Sequence, residues 1–107
     1  MDQQHPIDRL HSRIESRRNS SSGNSYTAGL LAKGPLECAK KLGEEAVETV
    51  LAAAVQDKTR LVGESADLLY HLLVLWAASG IDPADVYAEL RAREAQSGLQ
   101  EKAARKR

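Results

Sequence analysis

Phenylalanine does not occur in this sequence, and tryptophan and cysteine occur once each. A core with so few large rings must be built from alanine, leucine and valine, a mix that suits closely packed helices and is poor in strand formers. The single Cys38 excludes an internal disulfide. Among apolar neighbours it reads as a small core filler, not a nucleophile. No uninterrupted apolar run approaches the ~18 residues of a membrane span, and MDQQHPIDRL lacks the apolar segment of a signal peptide. These absences point to a soluble, cytoplasmic chain. Charge of neither sign dominates, since 15 Lys and Arg balance 15 Asp and Glu. Nothing draws the chain as a whole toward nucleic acid or an anionic membrane. The basic ending reads as a solvated tail over 101–107. A glycine-rich phosphate loop is also missing, because GLLAKGP is not followed by the GK[ST] of such loops.

What is present is a helical pattern over a chain of single-domain length, 107 residues with 42% apolar. A domain of this size buries a modest fraction of its surface, so self-association is a natural supplement. Ile7, Leu10 and Ile14 recur at helical spacing and predict a short first helix that fades at Arg17 and Arg18. NSSSGN (19–24) is a loop by composition. Ser25 can cap a short helix, YTAGLLAK, that Gly34 and Pro35 end. Two long helices follow, at about 36–55 and 60–79, joined by a turn at QDKT in which Asp57 or Thr59 can cap the second. Asp82-Pro83, with Asp85 in the first turn, opens a last helix that runs to about Ala95. The fold class expected is all-α: one domain over 1–107, a helical bundle centred on the two long helices, antiparallel because their connection is short. A second subunit is expected to complete it.

Carboxylates concentrate on those two helices. KLGEEAVETV carries Glu44, Glu45 and Glu48, and GESADLLYHL carries Glu64 and Asp67. On a wheel with Glu44 at zero, Glu48 falls at ~40° and Glu45 at ~100°, with Lys41 between them and Ala39, Ala46, Val47, Val50 and Ala54 on the opposite side. Lys40 and Lys41 stand four before Glu44 and Glu45. Taken alone, this helix is simply amphipathic, with an ion-paired wet face. The second helix alters the balance. Glu64, Asp67 and His71 share one stripe, yet from Leu68 to Ala78 the other residues except Tyr70 are apolar in all directions, as in a buried helix. An unpaired buried carboxylate must neutralise, pair or bind a cation. Glu45-x-x-Glu48 and Glu64-x-x-Asp67, facing each other across antiparallel helices, favour the cation. The donors are all hard oxygens, without a thiolate pair or Glu-x-x-His. Zinc and a di-iron site are disfavoured, and Mg²⁺ or Mn²⁺ is favoured. Because Mg²⁺ is typically completed by substrate phosphates, the cluster suggests phosphate ester or anhydride hydrolysis. His71 reads as a core histidine, and Tyr70 and Trp76 as packing residues.

The EE-x-x-E and E-x-x-D motifs on consecutive helices resemble those of the all-α NTP pyrophosphatase superfamily, the MazG-like group. SYTAGLLAKG (25–34), CAKKLGEEAVETV (38–50), ESADLLYHLLVL (64–75) and REAQSGLQEKAARK (93–106) narrow the resemblance to the phosphoribosyl-ATP pyrophosphatase family, over roughly residues 7–106. The resemblance implies Mg²⁺-dependent hydrolysis of phosphoribosyl-ATP to phosphoribosyl-AMP and pyrophosphate, the second step of histidine biosynthesis, by a homodimer. It implies Glu45, Glu48, Glu64 and Asp67 as metal ligands, and Glu44, Glu45 and Glu48 as catalytic residues. Lys40 and Lys41 would face phosphates, and Lys33, Ser25, Tyr26 and Thr27 would contact substrate. Gly29, where the family often has a longer side chain, puts the regularity of the short helix in question. The rival readings are a house-cleaning (d)NTP pyrophosphatase, which would share the carboxylates, and a non-enzymatic helical dimerisation module.

Overall fold

The computed structural model describes residues 5–18 and 25–96. Five helices follow one another: α1 (Pro6–Arg17), α2 (Tyr26–Lys33), α3 (Pro35–Ala54), α4 (Lys58–Ala78) and α5 (Pro83–Glu94). No strand occurs among the described residues, so the fold is all-α, as the composition implies. The loop expected at 19–24 and the tail at 101–107 lie outside the described residues.

Local chemistry sets the helix ends. The Ser25 hydroxyl accepts the Ala28 amide at 3.1 Å and starts α2. Gly34 ends it at φ +94°, backbone that glycine tolerates best, and Pro35 then occupies the first position of α3. Gly29 sits inside a regular α2 and does not interrupt it. Of the two candidate caps for α4, Asp57 is the one used: its carboxylate accepts the Arg60 amide at 3.0 Å. At α5, the Asp82 carboxylate accepts the Ala84 amide at 2.9 Å and the Asp85 carboxylate accepts the Asp82 amide at 3.0 Å, the reciprocal arrangement of a capping box.

The α3–α4 hairpin is the largest interhelix contact, and α1 and α2 pack against it. Its helices run antiparallel, since Arg60 meets Glu48 near the turn and Glu64 meets Glu45 about one turn farther out along both helices. The core draws Ile14 from α1, Leu30 from α2, Cys38 from α3, and Leu73, Val74 and Ala77 from α4. Cys38 donates its thiol to the Leu30 carbonyl at 3.3 Å, and burial pushes that thiol above its ordinary pKa, so it is the filler expected. The Arg18 guanidinium donates to the Ala77 carbonyl at 2.7 Å and ties α1 to the end of α4. Tyr87 donates to Asp8 at 3.1 Å and so ties α5 back to α1.

One feature departs from the simple amphipathic picture. The face of α3 that packs on α4 is the one bearing Glu45, Cys38 and Ala52, at ~80–120° on the wheel. The apolar stripe lies on the other side, and within this chain it meets solvent: Leu36 is 86% exposed, Val47 57% and Val50 65%. Nor is α4 covered all round, for Leu69 and Val62 are exposed. By length and composition α4 could cross a membrane, but its N-terminal half carries Arg60, Glu64 and Asp67, and its C-terminal half contributes to the core. Replacing the fully buried Leu73 by Ala should cost about 2–5 kcal/mol, the range for cavity creation in a closed core. Urea unfolding followed by helical circular dichroism measures it.

Candidate metal centre between the long helices

The short turn between α3 and α4 fixes which residues meet. The Thr49 hydroxyl donates to the Glu45 carbonyl at 2.9 Å and lies 3.4 Å from the Glu64 carbonyl, so the two helices approach closely beside the acidic positions. Glu45, Glu64 and Asp67 converge there. One carboxylate oxygen from each lies within 4.8 Å of the others. Glu45 and Glu64 are half-buried and Asp67 is exposed, so the group opens to solvent on one side.

Its electrostatics are those of a crowded anion cluster. The Glu45 carboxyl is pushed up to about 7, first by the hydrogen bond it makes with Glu64, then by partial burial, and then by the charges of Glu64, Asp67 and Glu48. Two carboxylates cannot share a hydrogen bond unless one holds a proton. Without a cation, the pocket obtains that proton from water. A divalent cation would relieve the same repulsion, and three hard oxygens at this spacing suit Mg²⁺ or Mn²⁺. The residues present therefore fit such an ion.

The other expected site residues are placed as follows. Glu48 stands outside the triad and pairs with Arg60 at 3.4 Å. The same guanidinium is 3.9 Å from Glu64, so Arg60 links the two carboxylates at the turn end of the pocket. Glu44 is exposed and pairs with Lys41 at 3.5 Å, three residues apart rather than four. Lys40 and Lys33 are exposed, on α3 and at the end of α2. Ser25 uses its hydroxyl as the α2 cap. Thr27 shares a hydrogen bond with the Tyr70 hydroxyl. Tyr26 stands against Tyr70 and His71. His71 is buried as expected, its imidazole held below its ordinary pKa chiefly by that burial. Arg60 stands one turn before Glu64, so that half of the link follows from i, i+4 spacing, whereas its reach to Glu48 and the ring contacts of Tyr26 depend on packing between helices.

An all-α hairpin bundle with a carboxylate pocket between its long helices belongs to the class of helical bundles whose facing side chains could hold a hard divalent cation, and its donors differ from those of zinc and di-iron sites. Comparison with known proteins resolves the class. The family described as phosphoribosyl-ATP pyrophosphohydrolase matches residues 7–94, and the chain belongs to that family. It is similar to the phosphoribosyl-ATP pyrophosphatase of Parvibaculum lavamentivorans, 65% identical over 92% of this chain and 91% of the relative. The enzyme of that name from Paramagnetospirillum magneticum is 54% identical over 92% of this chain and 91% of the relative. That from Azospirillum brasilense is 50% identical over 94% and 90%.

The raised Glu45 pKa makes stability depend on pH. A proton bound more tightly in the folded state stabilises it fully below the ordinary value of 4.5, and that contribution is lost as pH rises through about 7. In metal-free protein the melting temperature should therefore fall between about pH 5 and pH 7.5. Glu45→Gln should flatten that slope, and Mg²⁺ should raise the melting temperature more at pH 8 than at pH 5. An identical pH slope in the variant would contradict the carboxyl–carboxyl contact.

Proposed function

We propose that the Glu45–Glu64–Asp67 pocket holds Mg²⁺, or Mn²⁺ in its place, and is where this chain cleaves its substrate. The reaction is hydrolysis of phosphoribosyl-ATP to phosphoribosyl-AMP and pyrophosphate, in histidine biosynthesis. The observation that carries the site is the convergence of three carboxylate oxygens within 4.8 Å between two packed helices. When bound, the ion would bridge to substrate phosphates and offset the charge that develops on the leaving pyrophosphate.

The chain's own groups do the remaining work. Lys40 and Lys41 lie on the same helix as the pocket and attract the polyphosphate; Lys41 is balanced by Glu44 until it arrives. Glu48, paired with Arg60 at 3.4 Å, is the further carboxylate that would join the metal ligands, which would leave the Arg60 guanidinium to face phosphate. Glu44, exposed and one residue before Glu45, would accept a hydrogen bond from the attacking water. Attack falls on the bond between the α- and β-phosphoryl groups, and no covalent intermediate is required. Ser25, Tyr26, Thr27 and Lys33 bring α2 to the substrate. Residues 1–107 act as one domain, in the cytoplasm.

The exposed stripe of Leu36, Val47, Val50 and Leu51 lies opposite the α4-facing side of α3. A contiguous apolar face of this kind marks an interface. A second copy of the chain is the occupant that would complete a bundle around α3, making the protein a homodimer.

Pyrophosphate release from phosphoribosyl-ATP should require Mg²⁺ and stop with EDTA. Glu48→Gln and Asp67→Asn should each lower kcat at least about a hundredfold with helical circular dichroism unchanged. Full activity in both variants would remove the site assignment. Separately, Val50→Asp should shift the sedimentation coefficient from that of a dimer toward that of a monomer.

A further inference from the structure

Beside the carboxylates, the fold assembles a second cluster with different chemistry. Tyr26 opens α2, and Tyr70 and His71 are consecutive on α4. The Tyr70 and His71 rings meet edge to face with centroids 5.0 Å apart. Tyr26 stacks on Tyr70 at 6.4 Å, with planes 23° apart, and meets His71 edge-on at 6.2 Å. Burial is graded across the three: His71 is 9% exposed, whereas Tyr26 is 59% exposed. A trio serving only the core would hide its outer ring. Here the inner rings form a support, the Tyr70 hydroxyl is fixed by Thr27, and Tyr26 offers much of its ring to solvent.

The cluster adjoins the acidic pocket. His71 follows Asp67 by one helical turn, about 5.4 Å along α4. Asp67, Lys41 and Glu44 all lie close enough for their charges to act on the imidazole. A substrate with its anhydride at the triad has its base within reach of these rings. That base is chemically distinctive. Adenine that carries a ribosyl group on N1 is a stronger base than adenine itself, because a proton on its exocyclic nitrogen gives a cation delocalised over the ring. A flat cation is drawn to the face of a tyrosine, and carboxylates nearby reinforce the attraction.

We propose that Tyr26, braced by Tyr70 and His71, is the surface on which the N1-substituted purine of the substrate stacks. This rests on the placement of the reacting anhydride at Glu45, Glu64 and Asp67. The stack holds the base, the triad and lysines hold the phosphates, and the ribose lies between.

Steady-state kinetics of Tyr26→Leu, Tyr26→Phe and Asp67→Asn with phosphoribosyl-ATP and Mg²⁺ test it. Tyr26→Leu should raise KM roughly tenfold, the usual loss for one base–aromatic stack, and leave kcat within about twofold. Tyr26→Phe keeps the ring and should restore KM. An unchanged KM in Tyr26→Leu overturns the proposal, and so does a fall in kcat at constant KM, or equal loss in the Phe variant. Asp67→Asn separates the two readings. If it loses kcat while Tyr26→Leu is normal, the stack alone is wrong; if it is fully active, the site placement fails and the stack loses its ground.

Discussion

Glu45 and Glu64 stand close enough across the α3–α4 interface to share a proton, and Asp67 adds a third carboxyl group to the same space. Such a contact opposes folding at neutral pH unless something offsets it. The chain has arranged the hairpin around it nonetheless. A short turn, the Thr49 hydroxyl between two carbonyls and an aspartate cap on α4 all hold the helices in the phase that brings the acids together. Unfavourable contacts of this kind are characteristic of functional sites, and a divalent ion is a ligand that these donors would suit.

The same constraint explains the two-faced character of α3. Half of its circumference is taken by the pocket and by packing on α4. The apolar residues therefore lie on the opposite half, where they are exposed among the described residues. The carboxylate pocket and the exposed apolar stripe thus occupy opposite sides of one helix.

Much of this was legible in the sequence because the decisive residues are punctuation. Ser25, Gly34-Pro35, Asp57 and Asp82-Pro83 act on the backbone within a few residues, so helix ends agree with expectation to within one or two positions. The acidic pairs were legible too, since i, i+3 spacing puts two carboxylates on one stripe whatever surrounds them. What escaped the sequence depends on contacts between elements. A helical wheel shows that α3 has a charged and an apolar side, but not which one turns inward. Arg60 reaches Glu48 only because the hairpin closes. Tyr70 was rightly a packing residue by its position on α4, yet its partnership with Tyr26 and Thr27 arises from α2 lying across it.

The crowding of α3 bears on how such a chain can change over generations. Its inward side is occupied by carboxylates and close-packed small residues, and its outward side is greasy where a partner would sit, so few positions on it can drift without consequence. The outer surfaces of α1 and α5 carry no such double duty. α5 is held mainly by its own capping box and by Tyr87 on Asp8. Variation among relatives of this chain should accumulate there, leaving the hairpin as the slowly changing part of the molecule.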